Sequence, residues 1–146
     1  MKITSPAFSD NKKIPKKFSC DGENINPPLA FSDIPQNTKS LVLIVDDPDA
    51  PSGNFVHWIV FNIDPIVREV MENSVPKDGI DANTSRNIPG FVSPCPPAGI
   101  HRYIFKLYAL DSILNLSSKV DKKIVEQAMQ GHVIEKAELI GLYGRE

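Results

Sequence analysis

Leu41-Val42-Leu43-Ile44-Val45-Asp46-Asp47-Pro48-Asp49-Ala50-Pro51 decides how the rest of this chain is read. Its first five residues are an unbroken aliphatic run between Ser40 and Asp46. A run so short and so apolar predicts a strand buried on both faces, because a half-exposed strand would alternate with polar residues. Three carboxylates then fall within four residues, which is electrostatically costly unless each is solvated, protonated or paired. Asp and Pro are ordinary turn residues, so a plain surface turn satisfies the pattern. The two prolines also stiffen the backbone, which suits a loop that must aim a carboxylate at a fixed point.

Outward from this stretch, further strands are expected. Phe55 to Ile63 is apolar, and a period of two places Phe55, His57, Ile59 and Phe61 on one face and Val56, Trp58 and Val60 on the other. His101 to Leu110 reads as a third clear strand, and Val133 to Tyr143 as a last one. Leu29–Phe31 is a brief strand, and Ile3 to Phe18 holds one or two short edge strands broken by Pro6 and Pro15. Asp64 to Pro89 shows little periodicity and reads as loop with small elements hidden in it. One segment reads as helix: Asp121 suits the N-cap, Ile124, Val125, Ala128 and Met129 form an apolar stripe, and Gly131 suits the residue after the C-cap. Strands dominate without βαβ alternation, so the expected fold is mostly all-β, an antiparallel sandwich or barrel with one or two short helices.

Bulk properties narrow the function. The 146 residues match one domain, 1–146, with one core. With 16 basic and 18 acidic side chains the chain has no basic surplus of the kind that binds nucleic acid by displacing counterions. Lys12, Lys13, Lys16 and Lys17 cluster, which reads as a solvated edge. No apolar stretch reaches the ~18 residues of a membrane span, so no integral membrane association is expected. No export signal is legible at the start, which points to the cytoplasm and hence to Cys20 and Cys95 as reduced thiols rather than a disulfide. The 13 prolines gather beside the apolar runs, the mark of short strands joined by shaped loops.

Candidate chemistry concentrates in two segments, Asp46–Phe61 and Ser93–Phe105. His57 and His101, with a nearby aspartate, can run acid–base chemistry or present donors to an anion. The spacing offers no metal motif, so neither metal nor cofactor is expected. Ser93-Pro94-Cys95-Pro96-Pro97 denies its loop regular pairing and leaves backbone N–H groups free beside a histidine, where an anion is well received. No hydrolase elbow surrounds Ser52 or Ser93, and an enzyme is not expected.

These residues resemble the two signature regions of the phosphatidylethanolamine-binding protein family. The match rests on Asp47-Pro48-Asp49-Ala50-Pro51 with His57 and its Trp neighbour, then on Pro94-Cys95-Pro96-Pro97, Gly99 and His101-Arg102-Tyr103. Cys20-Asp21-Gly22-Glu23-Asn24, Pro27-Pro28-Leu29, Gly131-His132-Val133 and Gly141-Leu142-Tyr143-Gly144-Arg145 resemble the ends of its bacterial and archaeal, Raf kinase inhibitor-like branch. The resemblance implies a β-sandwich with a shallow pocket for a phosphate, an acetate or a phosphoryl headgroup. It implies a pocket lined by Asp47, His57, His101 and Tyr103, rimmed by Ala50, Pro51, Phe55, Val92, Ser93, Pro94 and Pro96, with Tyr143 closing one side. It also implies a cis Ala50–Pro51 bond, and Arg102 paired with an aspartate of the first motif. Val92 and Ser93 stand where the family usually has glycines, which implies a reshaped, narrower pocket. The function expected is binding of a small anion or phosphoryl group in a regulatory role. The alternatives are an inhibitor of a kinase or serine protease, and a weak hydrolase built on Asp47, His57 and His101. A homodimer is common among the bacterial relatives.

Overall fold

A computed structural model describes residues 1–145. The strands are β1 (Lys2–Thr4), β2 (Lys12–Lys13), β3 (Leu29–Ser32), β4 (Ser40–Asp47), β5 (Phe55–Ile63), β6 (Glu69–Val70), β7 (Ile80–Asp81), β8 (Ile100–Leu110) and β9 (Val133–Gly144), with helix α1 (Lys122–Met129) before the last. Among the described residues they form two sheets, one in the order β1-β3-β6 and one in the order β2-β9-β8-β4-β5-β7.

The aliphatic run lies at the centre of the larger sheet, and every residue of β4 is buried. One face, carrying Leu41, Leu43 and Val45, packs with Trp58, Val60, Phe105 and Leu107 against Ile3, Leu29 and Phe31 of the smaller sheet. The opposite face, carrying Val42 and Ile44, packs with Ile59 and Phe61 against Leu114 and against Val125 and Met129 of α1. The absence of alternation in Leu41–Val45 therefore has a direct cause: a second layer covers each side of the sheet.

Helix α1 begins where the capping residue says it should, since Asp121 accepts a hydrogen bond from the Ile124 amide at 3.1 Å. Gly131 follows with φ +80, a left-handed conformation that suits a residue without Cβ. The sandwich is mostly antiparallel, with one exception that periodicity could not reveal: β2 pairs with β9 in parallel. Asp64 to Pro89 also holds more than a loop, because β6 and β7 add edges to the two sheets.

The strict alternation expected along β5 fails. Val45 opposes Trp58 but Asp46 opposes Val56, so His57 is an extra residue in a β-bulge. Below the bulge the parity changes: Trp58 and Val60 face the inter-sheet core while Ile59 and Phe61 face α1. The bulge puts His57 on the Trp58 side instead of the Ile59 side, where its ring meets Tyr103 of β8 at 5.2 Å. Bulges recur beside binding sites because they re-aim one side chain without disturbing the rest of the ladder.

Candidate functional site

At the end of the larger sheet the three carboxylates of the first segment part company. Strand alternation sends Asp46 and Asp47 to opposite faces. Asp46, fully buried, accepts from Asn54 Nδ2 (3.1 Å) and lies 3.1 Å from Lys106 Nζ and 3.2 Å from Lys122 Nζ. Asp47, on the other face, has its Oδ2 2.7 Å from His101 Nδ1 and accepts the Asp49 amide on Oδ1 at 2.8 Å. Asp49 turns outward and takes Arg102 in a two-point grip, Nε at 3.0 Å and Nη2 at 2.9 Å, as well as the Arg102 amide. That guanidinium holds the Asp49 carboxyl down at about 2. The crowding of charge is thus resolved by three separate partnerships, including the expected one for Arg102.

Asp47, His57, His101 and Tyr103 meet around a cavity of about 150 Å³. Ala50, Pro51 and Phe55 border it from the first segment, and Val92, Ser93 and Pro96 from the second. Its volume equals the liquid share of about five waters, room for a headgroup-sized ligand rather than a drug-sized one.

The hydrogen bonds settle the roles of the two imidazoles. His57 Nδ1 lies 2.6 Å from the Val92 carbonyl oxygen, which can only accept, so Nδ1 carries the proton. Burial among Phe55 (4.7 Å) and Tyr103 lowers the His57 pKa, leaving the ring neutral with Nε2 as a bare acceptor. His101 likewise turns Nδ1–H to the Asp47 carboxylate, which orients the ring. Neither Nε2 atom nor the Tyr103 hydroxyl bonds to protein among the described residues, yet none of the three is sealed from solvent. The accessible space that these buried rings border is the cavity. Desolvation raises the Tyr103 pKa, so its hydroxyl stays a donor at ordinary pH.

Four expectations are corrected. Cys20 and Cys95 are joined in a disulfide, their Cα atoms 5.4 Å apart; the compartment argument for free thiols carried no information about a loop that folds back on the N-terminal segment. No peptide bond among the described residues is cis, Ala50–Pro51 included. Tyr143 does not line the cavity: its hydroxyl donates to Asp21 Oδ2 (2.8 Å) and accepts from Ser19 Oγ (2.9 Å). Pro94 also turns away, and its carbonyl accepts the Cys20 amide at 3.1 Å.

Val92 and Ser93 do not block the loop. Neither has a positive φ, and Val92 is held by β5 at both polar atoms, its amide donating to the His57 carbonyl at 2.8 Å. The amides of Ser93 and Cys95 donate to no protein group among the described residues. Sequence reasoning missed Ser52, Cys95, Pro97 and, above all, Arg86, which also line the cavity. Arg86 arrives on a turn docked onto β5: the Ser85 amide donates to the Val56 carbonyl (3.0 Å), the Val56 amide to Ser85 Oγ (2.7 Å), and the Arg86 amide to Thr84 Oγ1 (3.2 Å). Its positive charge is a further influence holding His57 neutral. No periodicity marks a lone arginine in a turn, so the sequence held no signal for it. The nearby lysines form no part of the site; Lys17, for example, pairs with Glu72 at 2.8 Å.

A β-sandwich with a small cavity at one end of its larger sheet, floored by two imidazoles and a phenol and edged by an arginine, is the class of protein these observations define. The family model described as phosphatidylethanolamine-binding protein matches residues 4–144, and the chain belongs to that family. It is 45% identical over 150 residues to a protein of Methanothermobacter thermautotrophicus named UPF0098 protein, covering 99% of both chains. A Chlamydia trachomatis protein of the same name is 46% identical over 151 residues, with full coverage of both. Among solved structures, a Chlamydia trachomatis homologue of the phosphatidylethanolamine-binding protein superposes with a TM-score of 0.96 at 44% identity, covering 99% of this chain and 97% of that one. Escherichia coli YbcL, described as a new member of the mammalian family, gives a TM-score of 0.91 at 27% identity, covering 99% and 98%.

Proposed function

We propose that the chain binds a small anion or phosphoryl group in this cavity and acts through that binding in a regulatory role. The observation that carries the reading is the convergence of polar atoms without a protein partner among the described residues: Tyr103 hydroxyl, His101 Nε2 and the Arg86 guanidinium at one small cavity. Both oxygens of Asp47 are already engaged, one by His101 and one by the Asp49 amide, so neither lone-pair set is turned into the cavity unpartnered. The group bound belongs to a small ligand headgroup or to a phosphorylated partner; both present the same oxygens. Neither the Ser52 nor the Ser93 hydroxyl is bonded to an imidazole among the described residues, so no poised nucleophile supports a hydrolase.

A cytoplasmic location and a homodimer belong to the same reading. No helix among the described residues is long and apolar enough to cross a membrane. The disulfide removes the thiol argument for the cytoplasm.

Titration calorimetry with inorganic phosphate tests the proposal. Binding is expected at pH 7, about tenfold weaker in Arg86→Met for loss of a charge-assisted contact. The titration is run at pH 5.5 and at pH 8. No binding by the wild-type protein at either pH refutes it.

A further inference from the structure

An anion cavity normally presents donors, yet this one contains an acceptor. The Val92 carbonyl claims the His57 Nδ1 proton at 2.6 Å, so in the neutral ring Nε2 offers a lone pair to whatever enters. His101 adds a second lone pair whenever it is neutral, because its own Nδ1–H is turned to Asp47. A fully deprotonated anion would set its oxygens against these nitrogens with no hydrogen between them. We infer that the cavity selects an anion carrying its own proton, the monoanion of a phosphate monoester, whose P–OH donates to His57 Nε2 while its P–O⁻ accepts from Tyr103 and Arg86.

The inference rests on the proposed anion-binding function and narrows it. The groups facing His57 agree with a neutral ring. On β5, Phe55 packs on it; from β8, Tyr103 meets its edge, and His101 keeps the Asp47 carboxylate occupied; from the docked turn, Arg86 brings positive charge to the same cavity. Asp46 points to the opposite face of the sheet, engaged by Lys106 and Lys122. Among the described residues no carboxylate therefore bonds to His57 and draws a proton onto Nε2.

Two probes of equal charge and nearly equal shape isolate the single proton. At pH 5 methyl phosphate is largely the monoanion, its second ionisation lying near 6, whereas methyl sulfate is a monoanion without a hydroxyl. Calorimetry should show methyl phosphate bound at least about tenfold more tightly, the worth of one hydrogen bond to a charged partner and of the lone-pair clash its absence creates. Equal affinities overturn the inference while leaving the anion-binding reading intact; no binding of either probe, or of inorganic phosphate, overturns both. His57→Asn keeps a donor for the Val92 carbonyl but has no atom at Nε2, and the preference should collapse in it. Should that variant fail to fold, the ¹⁵N imidazole spectrum of the wild-type protein at pH 7 decides: His57 with a proton on Nδ1 and none on Nε2 supports the assignment, and a proton on Nε2 overturns it. Sedimentation with phosphatidylcholine vesicles doped with phosphatidate, a lipid monoester, then separates the sources of this chemistry. Retention that methyl phosphate reverses assigns a lipid monoester, and methyl phosphate binding without retention assigns a soluble one. Retention equally strong on undoped vesicles, which present only diesters, overturns the proposal.

Discussion

Cys20 and Cys95 are bonded to each other, and the Cys20 amide also donates to the Pro94 carbonyl, so the N-terminal segment is fastened at two points to the loop that borders the cavity. The same segment reaches the last strand, where Asp21 accepts from the Tyr143 hydroxyl and from Arg145 Nη2 at 2.9 Å. One covalent bond thus ties together the proline-rich loop, the turn after Phe18 and the end of β9.

Breaking that bond costs both stability and fit. The disulfide closes a loop spanning a sequence separation of 75. Loop-closure entropy for a ring of that size gives a ceiling of about 4.5 kcal/mol, and measured values commonly run 2–4 kcal/mol. Cys95→Ser should lower the unfolding free energy by about 2–4 kcal/mol in urea, and the wild-type protein in excess reductant should match it. Phosphate affinity should fall in both, because Cys95 and Pro96 border the cavity.

His57 makes stability depend on pH in a defined direction. Burial lowers its pKa in the folded chain, whereas in the unfolded chain it titrates near 6.5. Between the folded and unfolded values the unfolded state binds the extra proton, so stability falls as pH drops through about 6.5 and the loss is complete below the folded value. Urea melts at pH 7.5 and pH 5 should show this decline in the wild-type protein and a shallower one in His57→Asn.

Arg102 holds the exposed Asp49 carboxyl at about 2. In Arg102→Met the Asp49 resonance, followed by carboxyl NMR, should move up towards the ordinary aspartate value of about 3.9 but stay below it, because the residue 102 amide still donates to the carboxylate. The stability that the pair confers is fully present above pH ~4 and lost as pH falls towards 2. Because both side chains meet solvent, the loss at neutral pH should be small.

Asp46 should behave in the opposite manner. Its carboxylate is buried and gathers two lysines, so Asp46→Ala takes from Lys106 and Lys122 the counter-charge they share and leaves Lys122 only the more distant Glu126, at 4.0 Å. Breaking a buried pair costs 3–5 kcal/mol; as the lysine heads keep some solvent, about 3 kcal/mol is expected in urea. Phosphate affinity should change little, since Asp46 lies on the face covered by α1.

Several features were determined by the sequence alone. Local composition specified β4 as a strand covered on both sides, the ends of β5, and the Asp121 cap of α1, because each depends on residues adjacent in the chain. The family resemblance of the paired motifs implied that Asp47, His57, His101 and Tyr103 line one cavity, and the four do border the same one. Tertiary structure decided what depends on register and approach. Alternation along Phe55–Phe61 could not announce the bulge at His57, because a bulge is a mismatch between two strands and neither strand alone contains it. Cys20 meets Cys95, Arg86 reaches the cavity and Tyr143 turns to Asp21 for the same reason: each contact joins segments far apart in sequence, brought together by packing of the sheets. The donor-and-acceptor character of the cavity followed last, from one carbonyl. Val92 has no polar side chain to betray a role, yet its backbone oxygen decides which nitrogen of His57 holds the proton.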